Sequence, residues 1–395
     1  MTPRGPGSLS ALRLANRQRL LLALTGAEAV SQAELARLTG LAPATISGLV
    51  RDLVDEGELV VRQGVANGRR SRMVERAPVP QRYGMGIDLG RTHVKVVAGA
   101  DPGEVLTESS AGLAGGLRPD SVMEVIDALA ATVRERAGLT ADQVAGVAMG
   151  VPAPIDIATG SVTETAILPE LVGFPLRDEV SRLLGRPVVV ENDANLGALA
   201  LGRRAGAAGR SVVFVKVGTG IGAGVAVGGE LLRGDAGAAG EIGHLALDPG
   251  SSAVCRCGRR GCLETVGSAE AVRSALSSAL QRELGLGEVL GLIGDGHPVA
   301  VHVLEDAGEL LGRGLGWLAM ILDPAEIALG GPLIAAGDAW LRPVRQGFRR
   351  AVLPGVAART RVVISPLGED TEAVGALVAA HIAVEKRTHK QDVNA

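Results

Sequence analysis

The chain has 395 residues, 47% of them hydrophobic, with a mean hydropathy of +0.27 and a formal net charge of −3, which predicts a globular chain of two or three well-filled domains. No apolar run reaches the roughly 18 residues of a membrane span, and residues 1–10 lack a signal-peptide layout, so a cytoplasmic protein without a membrane partner is expected. Charge is unevenly spread: residues 1–80 carry eleven arginines against seven acids, a net +4, while the remainder is net −7, the asymmetry of a nucleic-acid reader joined to a body that should not bind nucleic acid.

From the N-terminus, residues 12–24 have the spacing of an amphipathic helix. A second helix is expected from Gln32 to Leu38, with Ser31 as its N-cap. Thr39-Gly40-Leu41 then makes a tight turn into a third helix from Pro43 to Glu56, where proline suits the first turn because its missing N–H costs nothing. Small Ala36 at the helix crossing and inward Leu35, Ile46 and Leu49 complete the pattern of a helix-turn-helix. Short strands from Leu59 to Arg62 and from Ser71 to Glu75 flank Asn67-Gly68-Arg69-Arg70, which reads as a wing. In that arrangement Ala44, Thr45, Ser47 and Arg51 face the major groove of double-stranded DNA, and Arg69 and Arg70 reach the minor groove or phosphates. Arg17, Arg37 and Arg62 suit a solvated face equally well. These features predict a winged helix-turn-helix over residues 10–76, followed by a proline-marked linker over 77–82.

Beyond the linker a strand, Gly turn, strand pattern runs from Gly84 through Asp88-Leu89-Gly90-Arg91-Thr92 to Val97. It recurs from Val212 through Gly218-Thr219-Gly220-Ile221-Gly222 to Val227. A duplicated hairpin implies two similar lobes, each a mixed sheet flanked by helices such as those expected from Ser121 to Ala137 and from Ser268 to Leu284. Glycine-rich turns can offer backbone N–H groups to phosphate, and they also serve any tight hairpin. Val188-Val189-Val190 delivers Glu191-Asn192-Asp193 to the start of a helix expected from Leu196 to Leu201. There Asp193 suits a hydrogen bond from a ligand hydroxyl, a general base, or a helix cap, and Glu191 suits a partly buried structural carboxylate.

All three cysteines of the chain, Cys255, Cys257 and Cys262, follow His244 in the order His-x10-Cys-x-Cys-x4-Cys, with Gly258 and Gly261 letting the chain double back. One imidazole and three thiolates close a tetrahedral zinc site, and four protein ligands leave no open position for an activated water, so the zinc is expected to be structural. Glu241 and Glu264 flank the loop, as they would flank a polar ligand site.

Assembled, these residues resemble the ROK family of repressors, open reading frames and sugar kinases, over about residues 12–385. The motifs are Asp88-x-Gly90-x-Thr92, Gly150-Val151-Pro152-Ala153-Pro154, Glu191-Asn192-Asp193-Ala194, Gly218-Thr219-Gly220-Ile221-Gly222, Gly240-Glu241-Ile242-Gly243-His244, the Cys255–Glu264 block and Leu329-Gly330-Gly331. The resemblance implies an α+β and α/β chain whose winged helix-turn-helix precedes a two-lobed actin-like, hexokinase-like fold of the ribonuclease H-like duplicated ATPase type. The first lobe is expected over 83–200, rejoined by a C-terminal helix over 369–385, and the second over 201–368 with the zinc loop. It further implies a sugar held by Asn192, Asp193, Glu241, His244 and Glu264, with the zinc keeping the two glutamates in place. In the family's kinases the residue matching Asp193 is the catalytic base, and residues matching Asp88, Gly90, Thr92, Gly218, Thr219, Gly220, Gly330 and Gly331 hold nucleotide phosphate.

This chain departs from the kinases at specific places: Arg91 and His93 stand where glycine and lysine are usual, Ala153 replaces a glycine, and Pro332 follows Gly330-Gly331. Side chains in place of glycine restrict φ and fill the space of a phosphate, which argues against ATP and Mg2+. The expected function is therefore a DNA-binding regulator, a repressor of carbohydrate metabolism, that answers to a sugar or sugar phosphate. It would act as a homodimer or tetramer on an inverted repeat. The competing expectation is an ATP-dependent, glucokinase-like sugar kinase.

Overall fold

The computed structural model describes residues 9–24, 29–66, 69–77, 82–114, 116–163, 168–204, 207, 209–235, 237–247 and 252–394. The chain divides into two compact units, Met1–Gln81 and Arg82–Ala395. Most of the expected linker, residues 78–81, lies outside the described residues.

The first unit runs α1 (Leu9–Ala23), β1 (Val30–Ser31), α2 (Gln32–Thr39), α3 (Pro43–Asp55), β2 (Leu59–Ala66) and β3 (Arg69–Arg76). Ser31 Oγ accepts the Glu34 N–H at 3.2 Å and starts α2, and Gly40 ends it at φ +69, a left-handed conformation that glycine adopts without strain. Pro43 opens α3, whose buried face, Ile46, Leu49, Val50 and Leu53, packs with Leu20 and Leu35. β3 pairs antiparallel with both β1 and β2, so the wing strands are longer than the short segments expected. Several arginines of this unit are tied internally: Arg13 to Asp52 at 2.6 Å, Arg62 to Glu75 at 2.7 Å, Arg17 to Glu56 and Glu58, and Arg37 to Glu34.

In the second unit, the first lobe is a five-stranded sheet of β4 (Tyr83–Leu89), β5 (His93–Gly99), β6 (Thr107–Gly112), β7 (Val144–Val151) and, after the short β8 (Ile155–Asp156) and β9 (Ser161–Val162), β10 (Val188–Asn192). Helices α4 (Pro119–Arg136) and α5 (Leu176–Leu184) cover its outer face. After α6 (Asp193–Gly202), the second lobe repeats the plan with β11 (Ser211–Val217), β12 (Ile221–Val227), β13 (Glu230–Leu231), β14 (Glu326–Gly330) and β15 (Arg361–Ile364). The orders β10-β7-β4-β5-β6 and β13-β12-β11-β14-β15 match: an antiparallel hairpin and a third strand on one side, two parallel strands on the other. The duplication expected from the two hairpins is thus a duplication of whole sheets. Its outer helices are α7 (Glu264–Gly267), α8 (Ala269–Ala279), α9 (Leu286–Gly294), α10 (Pro298–Leu322), α11 (Asp338–Ala351) and α12 (Pro354–Arg359), packed around Trp340, Phe348, Leu311 and the inward valines of β11.

Two helices fill the space between the sheets. α6, buried at every residue, lies on β11 and β12, and beyond its first turn, which carries Asp193 and Asn195, it is apolar on every face, as a helix buried all round must be. α13 (Thr371–Asn394) returns to the first lobe and lies on β4, β5 and β7. The two helices cross at Gly375, where a Cβ would stand 2.0 Å from the Leu196 carbonyl oxygen; at Gly224 of β12 a Cβ would stand 2.1 Å from that of Ala194. Glycine here sets the spacing of the layers.

Some boundaries differ from those expected. α6 starts at Asp193, three residues before the expected Leu196, and its cap is Asn192, whose Oδ1 accepts the Asn195 N–H at 3.2 Å. α8 stops at Ala279, short of the expected Leu284, because the chain turns at Gln281 with φ 53 and enters α9. Among the described residues no helix is long and apolar enough to cross a membrane.

Candidate functional site

In the first unit α3 is two-faced by construction. Ala44, Thr45, Ser47 and Arg51 are exposed on the side opposite its buried leucines and isoleucine, and Ser47 Oγ donates to Gln32 Oε1 at 3.0 Å. Arg70 is exposed on β3, while the side chain of Arg69 and residues 67–68 lie outside the described residues.

In the second lobe the loop after β13 brings His244, Cys255, Cys257 and Cys262 together, with their ligand atoms within 4.8 Å of one another. Two small bridges set the loop, Ala246 to Cys262 and Val254 to Arg260, and Gly258 (φ +84) makes the turn between the first pair of cysteines and the last. Cys255 Sγ lies 3.5 Å from His244 Nδ1 and Cys257 Sγ 3.6 Å from Cys262 Sγ. Bonds of about 2.3 Å to sulfur and 2.0–2.1 Å to nitrogen span tetrahedral edges of roughly 3.5–3.8 Å, so donor set and spacing both fit zinc. Without a metal, burial pushes the Cys255 thiol far above its ordinary pKa, and it donates to Glu264 Oε1 at 3.0 Å. Metal binding has to release that proton.

The same loop positions the flanking acids. Glu264 opens α7 and is buried; burial alone would raise its pKa, but Arg256 bonds both oxygens at 2.8 and 2.7 Å and holds it below the ordinary carboxylate range. Glu241 is more open, 4.0 Å from His244 Nε2, and desolvation together with the Glu264 charge raises its pKa against the pull of His244. His244 Nδ1 lies 3.9 Å from Glu264 Oε1. Asp193 is buried and close enough to Glu241 to add to that rise, whereas Asn192 spends its amide on the α6 cap and on the Ala153 carbonyl at 3.3 Å. Glu191 is a structural carboxylate: Arg233 at 2.6 Å and Asn195 at 2.9 Å hold it.

Side chains of this chain lie against Gly90 and Gly220 of the two turns. A Cβ on Gly90 would meet the His93 ring at 2.6 Å, so that imidazole folds back over the first turn beside exposed Arg91 and Thr92. A Cβ on Gly220 would meet Arg256 Nη2 at 2.4 Å, and Arg256 also donates to the Thr219 carbonyl at 3.2 Å. The Gly218 carbonyl accepts from the start of α8. Gly330 and Gly331 accommodate the Phe214 ring and the Val217 carbonyl, at 2.4 and 2.2 Å from an added Cβ.

Two cations were not singled out in the sequence. Arg256 lies in sequence between Cys255 and Cys257, two members of the candidate metal cluster. Lys216, on β11, pairs across the sheet with Gly222 and Gly330. Its Nζ lies 2.8 Å from Asp193 Oδ2 and 2.9 Å from Glu372 Oε1 at the start of α13. Burial opposes its charge, yet Asp193, Glu372 and Asp88 hold its pKa well above the usual lysine value. Burial pushes Asp88 up, opposed by Lys216, and raises Glu372 to about 7.

The ROK family profile matches residues 84–383, and a MarR family profile matches residues 17–71. The chain is 30% identical to a glucokinase of Halalkalibacterium halodurans, over 74% of this chain and 93% of that protein. It is 26% identical to the xylose repressor of Caldicellulosiruptor bescii, over 94% of this chain and 96% of that one. The crystal structure of a ROK family transcriptional regulator, a homolog of the E. coli MLC protein, shares the fold with a TM-score of 0.70 and 23% identity, covering 97% of this chain and 99% of that chain. A profile spanning most of the second unit, with its duplicated sheets and cysteine loop, establishes that this chain belongs to the ROK family.

Proposed function

We propose that the protein is a sugar-responsive, DNA-binding transcriptional regulator acting as a repressor. The observation that carries this reading is the first unit: a winged helix-turn-helix whose third helix keeps its polar face exposed. The match to the xylose repressor covers 94% of the chain and so extends beyond Arg82–Ala395, whereas the match to the glucokinase covers 74%. Ala44, Thr45, Ser47 and Arg51 read the major groove of a double-stranded operator, and Arg69 and Arg70 hold the flanking backbone or minor groove.

In the second unit Asp193, Glu241, His244 and Glu264, with Asn192, bind the hydroxyls of a sugar. Vicinal hydroxyls offer paired donors and acceptors, and a sugar lacking one leaves a buried carboxylate unpaired. Structural zinc on His244, Cys255, Cys257 and Cys262 fixes the loop that carries Glu241 and Glu264. The sugar acts through different affinities for two conformations of the second unit in a homodimer or tetramer bound to an inverted repeat.

The test is an electrophoretic or anisotropy titration of the full chain on its own upstream DNA, at several salt concentrations, with and without sugars. Salt-sensitive binding released by one sugar is expected; no such binding sinks the proposal. The second reading, a sugar kinase with Asp193 as base, draws on the 30% identity to a glucokinase. Release of ADP in a coupled assay over a panel of hexoses, abolished by Asp193→Asn, would favour it. His93 over the first glycine turn and Arg256 over the second weigh against nucleotide binding at Asp88, Gly90, Thr92, Gly218, Thr219, Gly220, Gly330 and Gly331.

A further inference from the structure

Three carboxylates from three elements converge between the lobes: Asp88 from β4, Asp193 from the start of α6 and Glu372 from the start of α13. All are buried, with side chains 6%, 5% and 6% exposed. Buried carboxylate oxygens contributed by separate rigid elements form the donor set of a hard divalent cation, which needs several oxygens and strong negative charge. Among the described residues Asp88 Oδ1 and Asp193 Oδ2 have no hydrogen-bond partner, the second meeting only the charge of Lys216 at 2.8 Å.

We infer that Lys216 is the resident cation of this site. Its ammonium reaches Asp193 and Glu372 at 2.8 and 2.9 Å and lies close enough to Asp88 to oppose the rise in its pKa. The other nearby positive groups are differently engaged. Lys95 is ion-paired with Asp370 and lies 3.9 Å from Glu108, and His93 stands 4.0 Å from Asp88 with burial lowering its tendency to protonate.

An ammonium supplies one positive charge on a tether, so it offsets part of the carboxylates' charge without being exchangeable. Two consequences follow. Asp193 is held by a group that belongs to the chain, which makes Lys216 a positioning residue for any ligand that Asp193 meets. The native junction also has no requirement for a divalent ion, whereas a chain deprived of the ammonium leaves three buried carboxylates facing one another, and cation uptake relieves their repulsion.

The test is Mn2+ uptake by the full-length, zinc-loaded chain, followed by electron paramagnetic resonance of free Mn2+ and by thermal melting. The native chain should take up no Mn2+ that Asp88→Asn removes. Lys216→Ala, and Lys216→Met, which keeps the stem volume, should each gain one Mn2+ per chain and a Mn2+-dependent rise in Tm, both lost again on adding Asp88→Asn. Folded variants that gain no Mn2+ would overturn the assignment. So would Asp88-dependent uptake by the native chain, a measurement that stands even if neither variant folds. Since DNA and sugar are absent from this titration, its outcome is separate from that of the operator experiment.

Discussion

Cys257 is the most exposed member of the candidate metal cluster, whose four donor atoms lie within 4.8 Å of one another. Cys257→Ser should lose stoichiometric zinc, measured with a colorimetric chelator after unfolding. The sugar-dependent rise in Tm should disappear with it, since Glu241 and Glu264 are carried by the same loop. A variant that loses zinc but keeps the sugar response would separate the loop from the site. Glu372 makes a different statement. Its carboxyl holds a proton to about 7 in the folded chain against an ordinary value of 4.5. The stability contributed by that proton is complete below about pH 4.5 and lost as pH climbs through about 7. Urea midpoints should therefore fall across that window in the native chain and fall less in Glu372→Gln; equal slopes would remove Glu372 from the account. The cysteine loop was legible because its four ligands lie within nineteen residues of sequence. Lys216 and Glu372 were not, because a lysine on a strand ordinarily reads as solvent-facing, and its partner is 156 positions away.

Elements, more than residues, decide how the second unit is layered. The crossing of α6 and α13 rests on Gly375, where a methyl group would overlap the Leu196 carbonyl, and backbone cannot yield as a flexible side chain can. Gly375→Ala should cost about 1–3 kcal/mol in urea unfolding, with the sugar response reduced because Asp193 and Glu372 begin the two crossing helices. An unchanged midpoint would mean that the helices have slack. The hairpins, the helix-turn-helix and the two-lobed plan were readable from periodicity and glycine placement, since those signals are local. The crossing was not, because glycine on a helix announces a close approach without naming what approaches.

At the scale of the molecule, the charge asymmetry read from the sequence is partly spent inside the first unit, where Arg13, Arg17, Arg37 and Arg62 pair with local acids. Arg51, Arg70 and Arg72 are exposed and form no ion pair among the described residues. Operator affinity should fall with salt, and Arg51→Ala or Arg70→Ala should each reduce the slope of log affinity against log salt by about 0.9 if the lost contact was to phosphate. A change in sequence preference with an unchanged slope would assign the residue to a base instead. Family membership followed from motifs spread along the chain, while regulator and kinase share those motifs and the extra N-terminal unit is what sets this chain beside the regulators.

The return of α13 to the first lobe also bears on how the protein is made. The sheet that begins at Tyr83 has one face covered by a helix that starts only at Thr371, with His381 Nε2 reaching the Gly99 carbonyl at 3.1 Å. Synthesis proceeds from the N-terminus, so β4, β5 and β7 leave the ribosome long before their cover exists. The small N-terminal unit, whose core closes between Leu20 and Val74, has no such wait. A nascent chain would thus carry a finished DNA reader ahead of an unfinished body.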